Sequence, residues 1–303
     1  MSEIQMRTPP AQSGTEWSRR LAVLGGLFPN VSSFIGGIMT LMVVSVALLA
    51  PVISTHDPAD QNVANAYTPP IREKGGNPEY LLGTDALGRD LFSRLAFGLR
   101  TSLGISFCSV LVLLTIGVTI GLLSGYYGGS MLDTILMRIT DVQMALPFIV
   151  LAITILAVLK PTIPVLIFVL ALVQWPLYAR VIRGLVLVER GSDYITSARA
   201  MGASDFRILT TYLLRNILIA VLILSTLDMA TMMIGEATLS FIGLGVQPPI
   251  PSLGNVMADG RLGLALYWWM TTLPGIVIFF TILGLNLLGD GLQTVLDPRL
   301  RKR

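Results

Sequence analysis

Residues 101–125 read TSLGISFCSVLVLLTIGVTIGLLSG, a run without one charged side chain. The hydrocarbon core of a bilayer takes about 20 apolar residues per helix, and this run is long enough to cross it. Its apolar residues are continuous rather than alternating, which fits a helix and not a transmembrane β-strand. Five further runs of the same kind lie on either side, at residues 34–53, 136–159, 163–182, 216–236 and 266–288. The sequence therefore predicts an all-α membrane protein with six transmembrane helices.

Composition points the same way. Of 303 residues, 53% are hydrophobic and only 13% are charged, and the mean hydropathy is +0.73. A soluble domain carries about 25% charged residues, so this chain cannot solvate the surface of a globule. Disorder would need low hydrophobicity and high net charge. A disulfide scaffold would need more than the single Cys108. A net charge of +3 builds no basic face for a nucleic acid, so the partner implied is the lipid bilayer.

Orientation follows from the basic residues, which concentrate in cytoplasmic loops. With the N-terminus inside, 14 of the 21 lysines and arginines fall on the inner side and 7 on the outer. Both termini are expected in the cytoplasm. The first 30 residues are mostly polar and carry Arg7, Arg19 and Arg20. The apolar run behind them has full span length, so it reads as a retained first helix rather than a cleaved signal. The expected organisation is a cytoplasmic tail at 1–33, then a first helix and extracytoplasmic loop at 34–98. A five-helix core at 99–290 contains an inner loop at 183–215, and a cytoplasmic tail follows at 291–303.

The outer loop ends in Leu82-Gly83-Thr84-Asp85-Ala86-Leu87-Gly88-Arg89-Asp90. Asp85 is placed to cap a short helix there. The Asp/Gly spacing lacks the ligand count of a calcium loop, and His56, the only histidine, has no soft ligands nearby for zinc. No metal site is expected. Within residues 101–125, Gly117, Gly121 and Gly125 recur at spacing four and form a small-residue stripe on one helix face, a signature of close helix packing. Cys108 is expected to be a small buried apolar residue.

The inner loop carries Asp193-Tyr194-Ile195-Thr196-Ser197-Ala198-Arg199-Ala200-Met201-Gly202-Ala203-Ser204-Asp205. A short helix is expected from Asp193 to Met201, with Asp193 at its positive end. Gly202 breaks it, and Ser204 or Asp205 starts the next helix. The result is a helix-turn-helix knob whose tip is made of small residues, open to a partner's backbone. Arg199 and Arg207 supply charges for that partner.

Asp228 is the acid placed deepest in a span. At mid-membrane it costs about 2.5–3.5 kcal/mol on insertion scales, so it should face a partner or a wet cavity. Its neighbours Met229 and Met232 are adaptable, which suits either a translocation path or simple packing. Glu236 is expected near the outer helix end, within reach of water.

At the knob the sequence resembles the membrane subunit of an ATP-binding-cassette importer. Thr196-Ser197-Ala198 stand at that family's Glu-Ala-Ala, Gly202 at its glycine, and Arg215 where many members have proline. Three further segments resemble the peptide-importer permeases of the dipeptide/oligopeptide/nickel class, specifically the second of their two permease types. They are Gly83-Thr84-Asp85-Ala86-Leu87-Gly88-Arg89-Asp90-Leu91-Phe92-Ser93-Arg94, then Glu236-Ala237-Thr238-Leu239-Ser240-Phe241-Ile242-Gly243-Leu244-Gly245 followed by Gln247-Pro248-Pro249, and a C-terminal one made of Asn286-Leu287-Leu288-Gly289-Asp290-Gly291-Leu292 and Leu296-Asp297-Pro298-Arg299-Leu300.

This resemblance implies a type I importer permease fold in a bacterial inner membrane. It also implies a homologous sister permease, two ATP-binding subunits and an extracytoplasmic solute-binding protein. The solute implied is a di- or oligopeptide. No catalytic residue and no cofactor are expected in this chain, with ATP and Mg on partner subunits. In keeping with that, the sequence has no Gly-x-x-x-x-Gly-Lys-Ser/Thr loop to cradle phosphates. Asp193, Thr196, Ser197, Ala198, Arg199, Gly202, Ala203 and Asp205 are then the ATPase-coupling residues. Asp228, Met229, Met232 and Glu236 are the candidate path. The rival reading is an ion-coupled secondary transporter with Asp228 as its coupling site. A membrane enzyme would need a cluster of reactive groups at one depth, which one histidine, one cysteine and scattered acids do not offer.

Overall fold

The structure, a computed structural model, describes residues 31–296. Arg7, Arg19, Arg20, Asp297, Pro298, Arg299, Leu300, Arg301, Lys302 and Arg303 lie outside the described residues, as do nearly all of the 1–33 tail and the end of the 291–303 tail.

The described chain is helical from end to end, apart from its loops. We number the helices α1 Val31–Ile53, α2 Leu91–Tyr126, α3 Met131–Met144, α4 Phe148–Val158, α5 Ile163–Glu189, α6 Asp193–Ala200, α7 Asp205–Phe241, α8 Leu253–Asp259 and α9 Trp269–Leu296. The one strand-like pairing among the described residues is an isolated bridge between Thr84 and Asp90. Five helices, α1, α2, α5, α7 and α9, are long and apolar enough to cross a membrane singly.

The sixth crossing differs from expectation. Residues 136–159 were read as one span, but α3 and α4 are two helices bent by 89° at their junction. Pro147 is the cause. It lacks an N–H and its ring forbids a continuous α-helix through Leu146, so it sits in extended conformation (φ −60, ψ 135) as the N-cap of α4.

The helices also overrun the apolar runs. Helix α2 starts at Leu91, within the segment expected as outer loop, because the Asp90 carboxylate accepts from the Ser93 N–H and caps it there. On the inner side, α5 continues to Glu189 and α7 begins at Asp205. The expected 183–215 loop is therefore mostly helix, with its irregular part confined to either side of α6.

Helix α2 is the axis of the packing. Its closest and longest partner is α5. A Cβ added at Gly117, Gly121 or Gly125 would fall 2.6, 2.7 and 2.6 Å from the Cβ atoms of Tyr178, Ile182 and Val186 on α5. Only glycine allows the two backbones to lie this close. Two apolar cores result. One joins α2 to α4, α5, α6 and α7 through residues such as Leu113, Leu156, Leu170, Ile182, Ile195 and Leu239. The other joins the outer part of α2 to α1, α8 and α9 through Leu91, Leu95, Ala47, Val256 and Trp269. Cys108 was expected in a core. It is instead exposed on α2, lining an open groove with Gly104 and with Ile163 and Ile167 of α5.

Candidate functional site

The inner knob forms from its own sequence. Helix α6 runs from Asp193 to Ala200 and ends at Met201. Gly202 follows with φ +83, a left-handed conformation that glycine adopts without strain. Ser204 then caps α7 by accepting from the Arg207 N–H. The first turns of α7 include a π-helical stretch, Ile208–Leu213, before the regular helix resumes.

The knob has an inward and an outward face. Ile195 and Ala198 are buried against the spans, while Asp193, Thr196, Ser197 and Gly202 are exposed and Ala203 is half-buried. No heavy atom lies within 4 Å of the position a Cβ would take on Gly202. Two large apolar side chains flank the glycine turn in the open, Met201 at 80% and Phe206 at 75% exposure. Sequence reasoning passed over them as partner contacts. The signal was present, since an apolar residue on each side of a polar turn has no core to enter.

Two of the expected coupling residues, Arg199 and Asp205, are exposed and also bond within the chain. The Tyr126 hydroxyl, at the inner end of α2, donates to Asp205 Oδ1 at 2.5 Å and accepts from Arg199 Nη2 at 3.2 Å. The Arg199 guanidinium also lies 5.8 Å from the Tyr126 ring centre. Arg199, expected to offer its charge outward, is exposed and also engages Tyr126 within the chain.

Around this contact, Arg190 Nη1 donates to the carbonyls of Tyr126 at 3.0 Å and Gly128 at 3.2 Å. Tyr194 donates to Glu189 Oε2 at 2.7 Å and accepts from Asn216 Nδ2 at 2.6 Å. Burial and then the Glu189 carboxylate hold the Tyr194 hydroxyl above its ordinary pKa, so it stays a proton donor. At the start of α3, Asp133 takes a two-pronged bond from Arg183, 2.7 and 2.8 Å, and a short one from Ser124 on α2. Arg180 and Asp141 form an exposed pair at 2.6 Å.

The outer end of α2 is built differently. Asp85 does not cap a helix, as was expected. It accepts from the backbone N–H groups of Leu87 at 2.8 Å and Arg89 at 3.0 Å, and so closes a turn. Its carboxylate also binds Arg89 Nε at 2.6 Å and Arg94 Nη1. Both guanidiniums reach on to Asp259 of α8, at 3.0 and 2.9 Å. Asp90 takes the capping role and also accepts from Thr55 Oγ1 at 3.0 Å, which ties α2 to the end of α1. No group of three or more His, Cys, Asp or Glu arranged for a metal occurs among the described residues.

The membrane acids separate. Asp228 and Met229 are half-buried on α7, and Asp228 faces Gln174 and the buried hydroxyl of Tyr178 on α5. The nearby Ser225 and Thr226 hydroxyls donate to the Leu222 carbonyl of their own helix. Met232 is packed in the core. Glu236 does not reach water. It is 0% exposed and accepts from Ser240 Oγ at 2.6 Å, beside Ser102 of α2 and Ser252 at the start of α8. The correction has a packing cause: α8 folds back over the outer half of α7 and seals that face.

These features define a class, a multi-span helical membrane protein with an exposed helix-turn-helix knob at one end of its spans. Residues 117–302 match the family described as binding-protein-dependent transport system inner membrane component, and the chain belongs to that family. It is accordingly a multi-pass protein of the bacterial inner membrane.

Among its curated relatives, it is 38% identical to the dipeptide transport system permease protein of Haemophilus influenzae, over 90% of this chain and 92% of that one. It is 38% identical to the di/tripeptide transport system permease protein of Pseudomonas aeruginosa, over 90% of each chain. With the oligopeptide transport system permease protein of Bacillus subtilis it shares 35%, over 90% of this chain and 87% of that one. Among solved structures, an inward-facing form of the MetNI methionine ABC transporter superposes with a TM-score of 0.55 at 21% identity, over 66% of this chain and 95% of that one. That likeness carries the importer permease fold.

Proposed function

We propose that this chain is one of two different permeases in an ATP-driven importer of di- or oligopeptides. The observation that carries the reading is its near full-length similarity to peptide permeases, in a chain whose inner face presents an exposed glycine-turned knob. In this reading both termini are cytoplasmic. Met201, Gly202 and Phe206 enter a groove on an ATP-binding subunit, and ATP with Mg is bound there rather than on this chain. A solute-binding protein delivers the peptide from outside. ATPase closure shifts the population between inward-open and outward-open arrangements, each favoured by differential contacts.

The path runs between this chain and its sister permease. Of the four candidate path residues, only the half-buried Asp228 and Met229 are open to it. Asp228→Asn is expected to change peptide uptake and leave the melting temperature in detergent unaltered. Unchanged uptake with a lowered melting temperature would assign Asp228 a structural hydrogen bond instead.

The assembly is tested by co-purification from native membranes in mild detergent, with a tag at the C-terminus. The expected result is recovery of a second six-span permease and two ATP-binding chains. Recovery of this chain alone, under conditions that preserve a known importer, overturns the heteromeric reading.

A further inference from the structure

We propose that the Tyr126 hydroxyl is a positioning device that couples the ATPase-facing knob to helix α2. The proposal rests on the reading of the knob as the ATPase-docking element, and goes beyond it by naming the atom through which motion passes into the spans.

Three observations carry it. First, one oxygen joins three helices. Tyr126 Oη donates to Asp205, the first residue of α7, at 2.5 Å, and accepts from Arg199 near the end of α6 at 3.2 Å. Both helices of the knob are therefore tied to the inner end of α2. Second, the residues that make these bonds flank the exposed tip, so they hold it without covering it: Met201 remains 80% and Phe206 75% exposed. Third, Tyr126 is itself fixed. Its ring packs in the main core, and its carbonyl accepts from Arg190 just beyond α5 at 3.0 Å.

A push on the knob thus reaches α2 through a bond between a hydroxyl and a carboxylate, which are stronger and more directional than neutral ones. From α2 it passes to α5 along the glycine stripe, where the two backbones lie too close to slide apart without clashing. The knob's other route into the membrane, straight up α7, runs through the π-helical turn Ile208–Leu213. Such turns recur at functional sites and leave a helix locally less regular than an α-helix. Apolar packing of Ile195 also joins the knob to the spans, and of the two tyrosine ties from Asp205 to α2 the Tyr126 one, 2.5 Å against 3.4 Å for Tyr127, is the shorter.

The test uses the full complex in proteoliposomes with its binding protein, and reads radiolabelled dialanine uptake per ATP hydrolysed. Tyr126→Phe keeps the ring and removes only the hydroxyl. It is expected to retain both ATP-binding chains and their hydrolysis, while uptake per ATP falls about tenfold or more, the factor that a hydrogen bond to a charged group is worth. Asp205→Leu is expected to match it. Asp205→Asn, which keeps an acceptor for the hydroxyl, is expected to restore most of the loss, and the Tyr126→Phe/Asp205→Leu double variant to be no worse than either single one.

Uptake per ATP unchanged in Tyr126→Phe overturns the proposal. So does an Asp205→Asn variant as damaged as Asp205→Leu, which would mean that the charge of Asp205 acts on the ATPase directly. Loss of the ATP-binding chains from Tyr126→Phe also overturns it, by placing the hydroxyl in docking. A wild-type preparation that lacks ATP-binding chains overturns the docking reading and the proposal together. Should wild type hydrolyse ATP but move no dialanine, the peptide reading falls, and the ATP-dependent change in maleimide labelling of Cys108 on α2 decides the coupling. It is expected in wild type and lost in Tyr126→Phe, and an equal change in both overturns the proposal.

Discussion

The two ends of helix α2 are held in opposite ways. At the outer end, Asp85 and Asp259 share Arg89 and Arg94, and three of these four side chains are at most 9% exposed. Asp90 adds bonds to Ser93 and Thr55. At the inner end the Tyr126 hydroxyl lies between the exposed Asp205 and Arg199, Tyr127 makes a longer 3.4 Å contact to Asp205, and nearby charge pairs involve one cation each. A network whose members each have two partners cannot yield at one bond. The inner contact has exposed charged partners and only one bond shorter than 3 Å, and it can form and break as its surroundings move. The outer end ties α1, α2 and α8 into one block, and in the proposed reading the inner end receives a mechanical input.

The largest effect that would break this contrast is at the outer end. Asp85→Ala leaves two buried guanidiniums to a half-exposed Asp259, and removing one partner of a buried pair costs about 3–5 kcal/mol. The expected outcome is loss of folded protein in detergent, read by melting temperature and yield. A variant that melts like wild type would show that the outer end is no lock.

Midway along the helix, Gly121→Leu forces a side chain onto Ile182, whose Cβ would lie 2.7 Å from even a minimal Cβ. Overpacking of this kind costs about 1–3 kcal/mol, and the splayed α2–α5 seam should appear as a lowered melting temperature with weakened uptake. Arg180→Ala is expected to have the smallest effect. Its pair with Asp141 is 48% and 52% exposed, and exposed ion pairs contribute about 0.2–1 kcal/mol. A melting temperature shifted as far as that of Asp85→Ala would mean that burial does not distinguish the two ends.

The spans were legible in the sequence because a bilayer imposes length and apolarity on every crossing. The knob was legible because Gly202 and Ser204 are local signals, each acting on its own few residues. The bend at Pro147 was only half legible, since Pro51, Pro176 and Pro274 sit inside unbroken helices and continuous apolarity on both sides of Pro147 gave no further sign of a break. The ties on either end of α2 were not legible. Tyr126 and Asp205 are 79 residues apart, Arg94 and Asp259 are 165 apart, and no local pattern encodes such pairings. Glu236 was misplaced for a related reason. Distance from a helix end says how far an acid is from water along its own helix, and nothing about the short α8 that folds over it.

The π turn at Ile208–Leu213 has a geometric consequence for the rest of α7. Such a turn is an α-helix that has absorbed one extra residue, and one residue corresponds to about 100° of rotation. Everything beyond it is turned by that much relative to a plain helix started at Ser204. A helical wheel drawn unbroken from the knob into the membrane would put Asp228 and Glu236 on the wrong sides. Deleting one residue within the turn would give a regular helix that leaves both acids on their present faces, whereas straightening the turn at full length would swing them by about 100°, so the extra residue there sets the azimuth of the membrane charges.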